Sequence, residues 1–250
     1  MSKTALITGA TSGIGKATAE ILAKNNYKII LCGRREDRMV ELEKELSQLT
    51  EVHTLLFDVR DKKAVSESIA SLPEAFSTID ILINNAGNAH GLDPIQNGDI
   101  DDWDAMIDIN IKGLLYVSKA IIPQMIERKS GHIINIGSTA AKEVYPNGNV
   151  YCATKHAVDA LNQGMRMDLN PFGIRVGAIH PGMVQTEFSE VRFKGDTDRA
   201  EKVYQGFMPL QAEDIADIIH FVVSRPYHVN IADLIVMSTA QASSTIIKKN

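Results

Sequence analysis

The sequence predicts an α/β fold: one doubly wound parallel sheet of about seven strands with helices on both faces. Three observations predict it. Short apolar runs alternate with longer amphipathic segments. Those runs are rich in Ile, Val and Leu with little polar alternation, which suits strands covered on both faces. A glycine-rich turn directly follows the first run and opens the first amphipathic segment.

Residues 4–8 read as the first strand, and Ile14, Thr18, Ile21 and Leu22 then fall at helical spacing. Residues 28–32 read as the second strand, followed by Met39, Leu42, Leu46 and Leu49 at the same spacing. Runs at 53–57, 79–83, 132–136, 174–179 and 233–237 supply the other strands. This alternation implies βαβ units with right-handed crossovers. There is no internal repeat, low-complexity tract or Pro/Gly/Ser-rich linker, so residues 1–250 are expected to form a single domain. The stretch 183–206 breaks the alternation. It carries Phe188, Val191, Phe193, Lys194 and Gly195 without steady periodicity, as expected of a lid or binding loop.

A chain of 250 residues can bury roughly 70% of its extended surface, enough for a core without disulfides or a structural metal. With 44% hydrophobic and 23% charged residues it is not a disordered chain. A net charge of −5 argues against nucleic acid or an anionic membrane as the main partner. Cys32 and Cys152 make no disulfide framework, which points to a reducing compartment. Met1-Ser2-Lys3 leads straight into the first strand without a signal-peptide pattern. The longest uncharged run, 234–247, is polar-interrupted and shorter than the ~20 apolar residues that span a bilayer. A cytoplasmic location is expected by elimination. His90, His132, His156 and His180 do not fall at ligand spacing, so no metal is expected.

The turn after the first strand reads Thr8-Gly9-Ala10-Thr11-Ser12-Gly13-Ile14-Gly15. Small residues let the backbone turn sharply and approach a ligand closely. A helix N-terminus there offers free N–H groups and a positive dipole end to a pyrophosphate. The glycine spacing is Gly-x-x-x-Gly-x-Gly, in the strand–turn–helix context that a dinucleotide site requires. The second strand ends in Cys32-Gly33-Arg34-Arg35, where a site for an unphosphorylated ribose places Asp or Glu. A carboxylate would repel a 2′-phosphate, whereas guanidinium groups bind one. Arg34 and Arg35 are therefore expected to select NADP over NAD; the alternative is a solvated basic turn beside Glu36 and Asp37.

Tyr151 and Lys155 stand four apart, on one helix face. A lysine cation beside a phenol favours the phenolate and is expected to lower the Tyr151 pKa towards the working pH, as a general acid/base at a carbinol–carbonyl centre needs. Ser138 closes the 132–136 strand, at the strand end where open α/β sheets bind ligands.

Taken together, the Thr8–Gly15 loop, Asn84-Asn85-Ala86-Gly87, Asn110, Ser138, Tyr151-x-x-x-Lys155 and Pro181-Gly182 resemble the short-chain dehydrogenase/reductase family. They occur in the family's order across almost the whole chain. The resemblance implies a one-domain Rossmann-like fold, hydride transfer from a nicotinamide and, usually, a homotetramer. It implies Tyr151 as general acid/base, Lys155 lowering its pKa and holding the nicotinamide ribose, and Ser138 positioning the carbonyl. It implies that Asn110 holds the active-site architecture and a water in a relay through Lys155. It also implies that Asn85 lines the cofactor cleft, that Asp58 and Val59 contact the adenine, and that Pro181, Gly182, Val184 and Thr186 hold the carboxamide and pyrophosphate.

Phe188 to Asp196, then Ala200 to Tyr204, Glu213-Asp214 and Tyr227 to Ile231, are similar to the NADP-dependent 3-hydroxy acid dehydrogenases. That resemblance implies serine, allo-threonine or 3-hydroxyisobutyrate as a type of substrate. A small hydroxy acid brings a carboxylate that must be paired when a lid closes. Arg192 is the candidate partner, with Lys194 behind it; both could equally be exposed charges paired with Glu187, Glu190 or Asp196. Glu143 and Tyr145 either shape the substrate pocket or lie on a surface loop. Trp103 is expected to be a packing residue. The apolar Ile246 and Ile247 are either covered by a neighbouring subunit or frayed. The rival readings are a reductase of uncharged ketones, diketones or aldehydes, and a non-catalytic dinucleotide-binding regulator.

Overall fold

In the computed structural model, which describes residues 2–249, seven parallel strands form one sheet in the order β3-β2-β1-β4-β5-β6-β9. They are β1 (Thr4–Thr8), β2 (Lys28–Gly33), β3 (Val52–Leu56), β4 (Ile81–Asn84), β5 (Gly131–Ile136), β6 (Ile174–Pro181) and β9 (Asp233–Val236). The crossover helices are α1 (Gly13–Lys24), α2 (Glu36–Leu46), α3 (Lys62–Ala70), α4 (Ile100–Ile107), α5 (Leu114–Arg128), α6 (Asn149–Leu169) and α9 (Ala212–Val223). Between β6 and α9 the chain leaves the sheet through β7 (Val184–Gln185), α7 (Phe188–Arg192) and α8 (Thr197–Lys202). It returns at β8 (Leu210–Gln211), which pairs with β7. Met1, which begins the N-terminal run, lies outside the described residues.

The lack of alternation in the strand sequences has its cause in two cores. In β1, Ala5 and Ile7 face one layer with α1, α2 and α9, while Leu6 faces the other with α3, α5 and α6. Side chains of a strand point to opposite faces in turn, so a strand buried on both faces must be apolar throughout. The two edge strands depart from this. Ile235 in β9 and Leu56 in β3 are about half exposed, because each edge strand is flanked on one side only.

The second helix ends at Leu46, so Leu49 is exposed rather than on its buried face. Hydrogen bonds from Leu49 N and Thr50 N back to Leu46 O turn the chain towards β3 there. Asp61 caps α3 by accepting from Lys63 N and Ala64 N at 2.9 and 3.0 Å. By contrast α1 has Ser12 at its cap position without a capping bond, which leaves its first N–H groups open. The strand order reverses direction between β1 and β4. Ligands of open α/β sheets bind outside the carboxyl ends of the strands at that switch point. Among the described residues, no helix is long and apolar enough to cross a membrane.

Candidate active site

A cleft of about 520 Å³ runs along the carboxyl ends of the strands, from Arg34 and Arg35 past Gly9 and Gly13 to Ser138 and Tyr151. It takes in the predicted residues with two exceptions, Gly15 and Asn110. A Cβ on Gly15 would overlap the Gly9 carbonyl oxygen and the Asn85 amide. Its part is to let α1 pack tightly behind the loop, and it does not face a ligand. Gly9 and Gly13 take positive φ values of 65° and 49°, conformations that glycine adopts without penalty.

The loop is fixed from β4. Asn85 Nδ2 donates to the carbonyls of Thr8 and Gly9 at 2.9 and 3.3 Å, and its backbone N–H donates to Thr8 Oγ1 at 3.0 Å. A turn this rigid, an uncapped helix start and two guanidinium groups at one end form a donor set that fits an anionic dinucleotide.

The arginines have partners that the sequence did not reveal. Arg34 Nη1 lies 3.1 Å from Asp58 Oδ2, and Arg60 Nη2 lies 2.7 Å from the same oxygen. Burial pushes the Asp58 carboxyl up, but hydrogen bonds from Arg60 and the Arg34 charge outweigh it and bring it to about 2. Arg35 lies flat on the glycine loop. Its Nε and Nη2 donate to Thr11 Oγ1 at 3.1 and 2.9 Å, and Nη2 also donates to Ser12 Oγ at 2.6 Å. Its Nη1 donates to Glu187 Oε2 at 2.8 Å, while Arg38 Nη1 donates to Glu187 Oε1. The spacing Arg35-x-x-Arg38 at a helix start was a legible sign of two cations on one face. Nothing in the sequence joined Glu187 to them.

At the other end, α6 presents Tyr151 and Lys155, both buried. Lys155 Nζ donates to Ile136 O at 3.0 Å and stands 5.9 Å from the centre of the Tyr151 ring. The electrostatic balance differs from the expectation. Burial pushes the Tyr151 phenol up, as does neighbouring Tyr145; the Ser138 hydroxyl and the Arg192 charge oppose this without overcoming it. Burial also brings Lys155 down to about 8. The lysine is turned to a carbonyl and not to the phenol, so in this arrangement desolvation governs both groups.

Ser138 follows β5 and caps a single helical turn by accepting from Ala140 N at 3.1 Å. Behind it stands fully buried His180, with Nδ1 3.2 Å from Ser138 O and Nε2 2.9 Å from Asp233 Oδ1. Asp159 joins this group, which the histidine spacing did not foreshadow. Lys142 Nζ lies 3.0 and 2.8 Å from the Asp159 and Asp233 carboxylates and serves as their counter-ion.

Asn110 lies in a π-type turn (Asp108–Gly113) between α4 and α5, a distortion that often marks functional positions. It is buried behind the cleft. Its Oδ1 accepts from Asn88 N at 2.8 Å, and its Nδ2 donates to Asn88 O and Thr154 Oγ1 at 2.8 and 3.0 Å. Gly87 stands against it, and a Cβ there would lie 3.0 Å from Asn110 Oδ1 and 3.5 Å from Lys155 Nζ.

The 183–206 stretch folds its short α7 helix onto the tyrosine. The Phe188 ring packs 5.6 Å from that of Tyr151. The Arg192 guanidinium lies 5.3 Å from the Tyr151 ring centre, and its Nη2 donates to Tyr145 Oη at 2.7 Å. Tyr145 therefore lines the cleft, whereas Glu143 does not and accepts from the backbone N–H of Ser244 at its border. Lys194 does not stand behind Arg192. It is exposed, 3.0 Å from Asp102 and 3.5 Å from Asp99. The backbone is left-handed at Lys194 (φ 53°), just past α7, and the side chain reaches Asp102 of α4. Trp103 packs with Met106 and Tyr151 under the pocket, as a packing residue would.

The fold and the tyrosine–lysine–serine cleft define an oxidoreductase of the doubly wound α/β class. A family model described as short chain dehydrogenase matches residues 3–197, and the chain belongs to that family. It is 47% identical over 245 residues to sulfoacetaldehyde reductase 2 of Chromohalobacter salexigens, covering 98% of this chain and 97% of that one. It is 45% identical over 238 residues to the NADP-dependent 3-hydroxy acid dehydrogenase YdfG of Escherichia coli K12, covering 95% of each. Among solved structures, the closed form of serine dehydrogenase complexed with NADP+ superposes with a TM-score of 0.93. It has 44% identity, and 99% of each chain is covered.

Proposed function

We propose that this chain moves a hydride between NADP(H) and the 3-hydroxy/3-oxo position of a small hydroxy acid such as serine, allo-threonine or 3-hydroxyisobutyrate. The observation that carries the reading is the Arg192 guanidinium held over the Tyr151 ring, inside the cleft that also holds Ser138 and Lys155. A cation there suits the carboxylate of a substrate whose neighbouring carbinol lies at the phenol. The names of two similar proteins, a 3-hydroxy acid dehydrogenase and a serine dehydrogenase, support the same class.

NADP, when bound, supplies the hydride acceptor. Arg34 and Arg35 would hold its 2′-phosphate, Asp58 and Val59 its adenine, and the loop from Gly9 to Ile14 its pyrophosphate. Pro181, Gly182, Val184 and Thr186 would border its nicotinamide end, and Lys155 would hold the ribose there. Ser138 donates to the substrate oxygen and Tyr151 Oη moves its proton. The segment 183–206 closes as a lid that brings Phe188 and Arg192 onto the substrate and excludes water. Asn110 keeps α4, α5 and α6 in register behind Lys155.

The test is turnover of NADP with L-serine or 3-hydroxyisobutyrate, read at the reduced-nicotinamide absorbance band. Tyr151→Phe should abolish the rise and keep NADPH binding. A wild-type protein that binds NADPH but turns over no hydroxy acid or oxo acid would refute the reading. A second substrate is favoured by the same arginine, since a sulfonate presents three oxygens to a guanidinium. Sulfoacetaldehyde, named for a similar protein, belongs in the same assay. We also propose a homotetramer, supported by exposed apolar side chains such as Met167 on α6 and Ile246. A cytoplasmic setting is supported by Cys32 and Cys152, buried as free thiols.

A further inference from the structure

Each of the two arginines at the proposed 2′-phosphate end is bonded to a carboxylate that a second arginine also holds. Asp58 is shared by Arg34 and Arg60, and Glu187 by Arg35 and Arg38. A carboxylate with a spare cation can release one partner without being left unpaired. A phosphate could then recruit Arg34 or Arg35 while Arg60 or Arg38 keeps the displaced carboxylate.

Glu187 differs from Asp58 in where it belongs. It immediately precedes α7, which carries Phe188 and Arg192 over Tyr151. Four of the five N–H groups of Arg35 already bond to Thr11, Ser12 and Glu187. Thr11 and Ser12 fix the plane of the guanidinium on the glycine loop. Glu187 takes its Nη1 edge, so a phosphate arriving at that edge meets a carboxylate of the same sign.

We infer that Glu187 is a specificity-determining residue set in the lid: it competes with the cofactor 2′-phosphate for Arg35, and Arg38 retains it when Arg35 turns to the phosphate. The inference rests on the proposal that Arg35 reads that phosphate. The competition applies to NADP and not to NAD, which brings no charge to this corner. The chain thus tempers its own preference for the phosphorylated cofactor. In exchange it keeps the substrate helix tied to the edge of the cofactor site.

The experiment is equilibrium binding, read by the fluorescence of the reduced nicotinamide. Kd values for NADPH and NADH are measured on wild type, Glu187→Gln, Arg35→Ala and the double variant. The glutamine keeps the size of the side chain and removes its charge. Glu187→Gln should tighten NADPH about twofold to fivefold, the scale of a partly exposed ion pair, and leave NADH unchanged. In the Arg35→Ala background the same substitution should leave NADPH unchanged. If Glu187→Gln weakens NADPH or leaves it unaltered while Arg35→Ala still costs NADPH affinity, Glu187 does not compete and the inference fails by itself. If Arg35→Ala leaves NADPH affinity intact, it is the phosphate-reading role of Arg35 that fails, and this inference falls with it.

Discussion

Arg192 and Tyr151 meet face to cation, the guanidinium carbon 5.3 Å from the ring centre, although they lie 41 positions apart in the chain. The contact sets a positive charge beside the phenol, which opposes the upward push of burial without overcoming it. Removing it should act on charged substrates selectively. Arg192→Ala is expected to lower kcat/KM for hydroxy acids by about 10- to 100-fold, the scale of a hydrogen bond to a charged group. Uncharged secondary alcohols should lose far less. Equal losses on both would dismiss the carboxylate role.

Tyr151→Phe removes the proton-transferring oxygen and keeps the ring that Phe188 and Arg192 contact. Its kcat should fall by about 10²–10⁴-fold. The Kd for NADPH should stay within about twofold of wild type, as measured by fluorescence titration. Retained turnover would transfer the acid/base role to another group.

Arg34→Ala and Arg35→Ala should each lower the ratio of kcat/KM for NADP over NAD by about tenfold or more. Arg35→Ala also removes the bonds to Thr11 and Ser12, so its effect on NAD should exceed that of Arg34→Ala. A ratio unchanged in both variants would remove the 2′-phosphate assignment.

Lys155 carries a cost that pH can reveal. Burial holds it at about 8, below its ordinary 10.5. Between these values the unfolded chain binds a proton that the folded one does not. Stability therefore rises with pH across that window, and below about 8 the full desolvation cost is present. Lys155→Met should raise Tm at pH 7 by roughly 2–8 °C while abolishing activity, and the gain should vanish towards pH 10.5. A lower Tm at pH 7 would mean that the bond to Ile136 O outweighs desolvation.

Asn110→Ala strips three hydrogen bonds from the π-type turn, two to the backbone of Asn88 and one to Thr154 Oγ1, which keeps only its bond to Tyr151 O. A loss of about 1–3 kcal/mol in urea unfolding is expected, with a larger fall in kcat than in NADPH affinity. Asn110→Asp, which keeps the acceptor for Asn88 N, should recover part of the stability.

The sheet was legible because it is buried on both faces. Ala5, Leu6 and Ile7 face alternate cores, and only an unbroken apolar run satisfies both. The glycine loop, Ser138, Tyr151 and Lys155 were legible because each sits at a fixed place next to a strand end or on one helix face. The pairing of Glu187 with Arg35 spans 152 positions and depends on how an aperiodic segment folds back, which no local pattern encodes. His180 was visible as a residue but not as the support of Ser138, since Asp159 and Asp233 reach it from other elements. The Tyr151 shift runs opposite to the expectation because spacing shows that a cation is near, not that it is turned to the Ile136 carbonyl.

The two-residue pairing of β7 with β8 brings Val184 opposite Leu210 and Gln185 opposite Gln211. It closes the intervening segment at its own base, so the main sheet contributes no strand to it and α9 can begin directly where it returns. Such a segment is an exchangeable cassette. Between fixed hinges, a change in its length leaves the pairing register of the seven strands untouched. What the segment still touches, Tyr151 through Phe188 and Arg192 and the cofactor loop through Glu187 and Arg35, marks the few positions at which such a change would be felt.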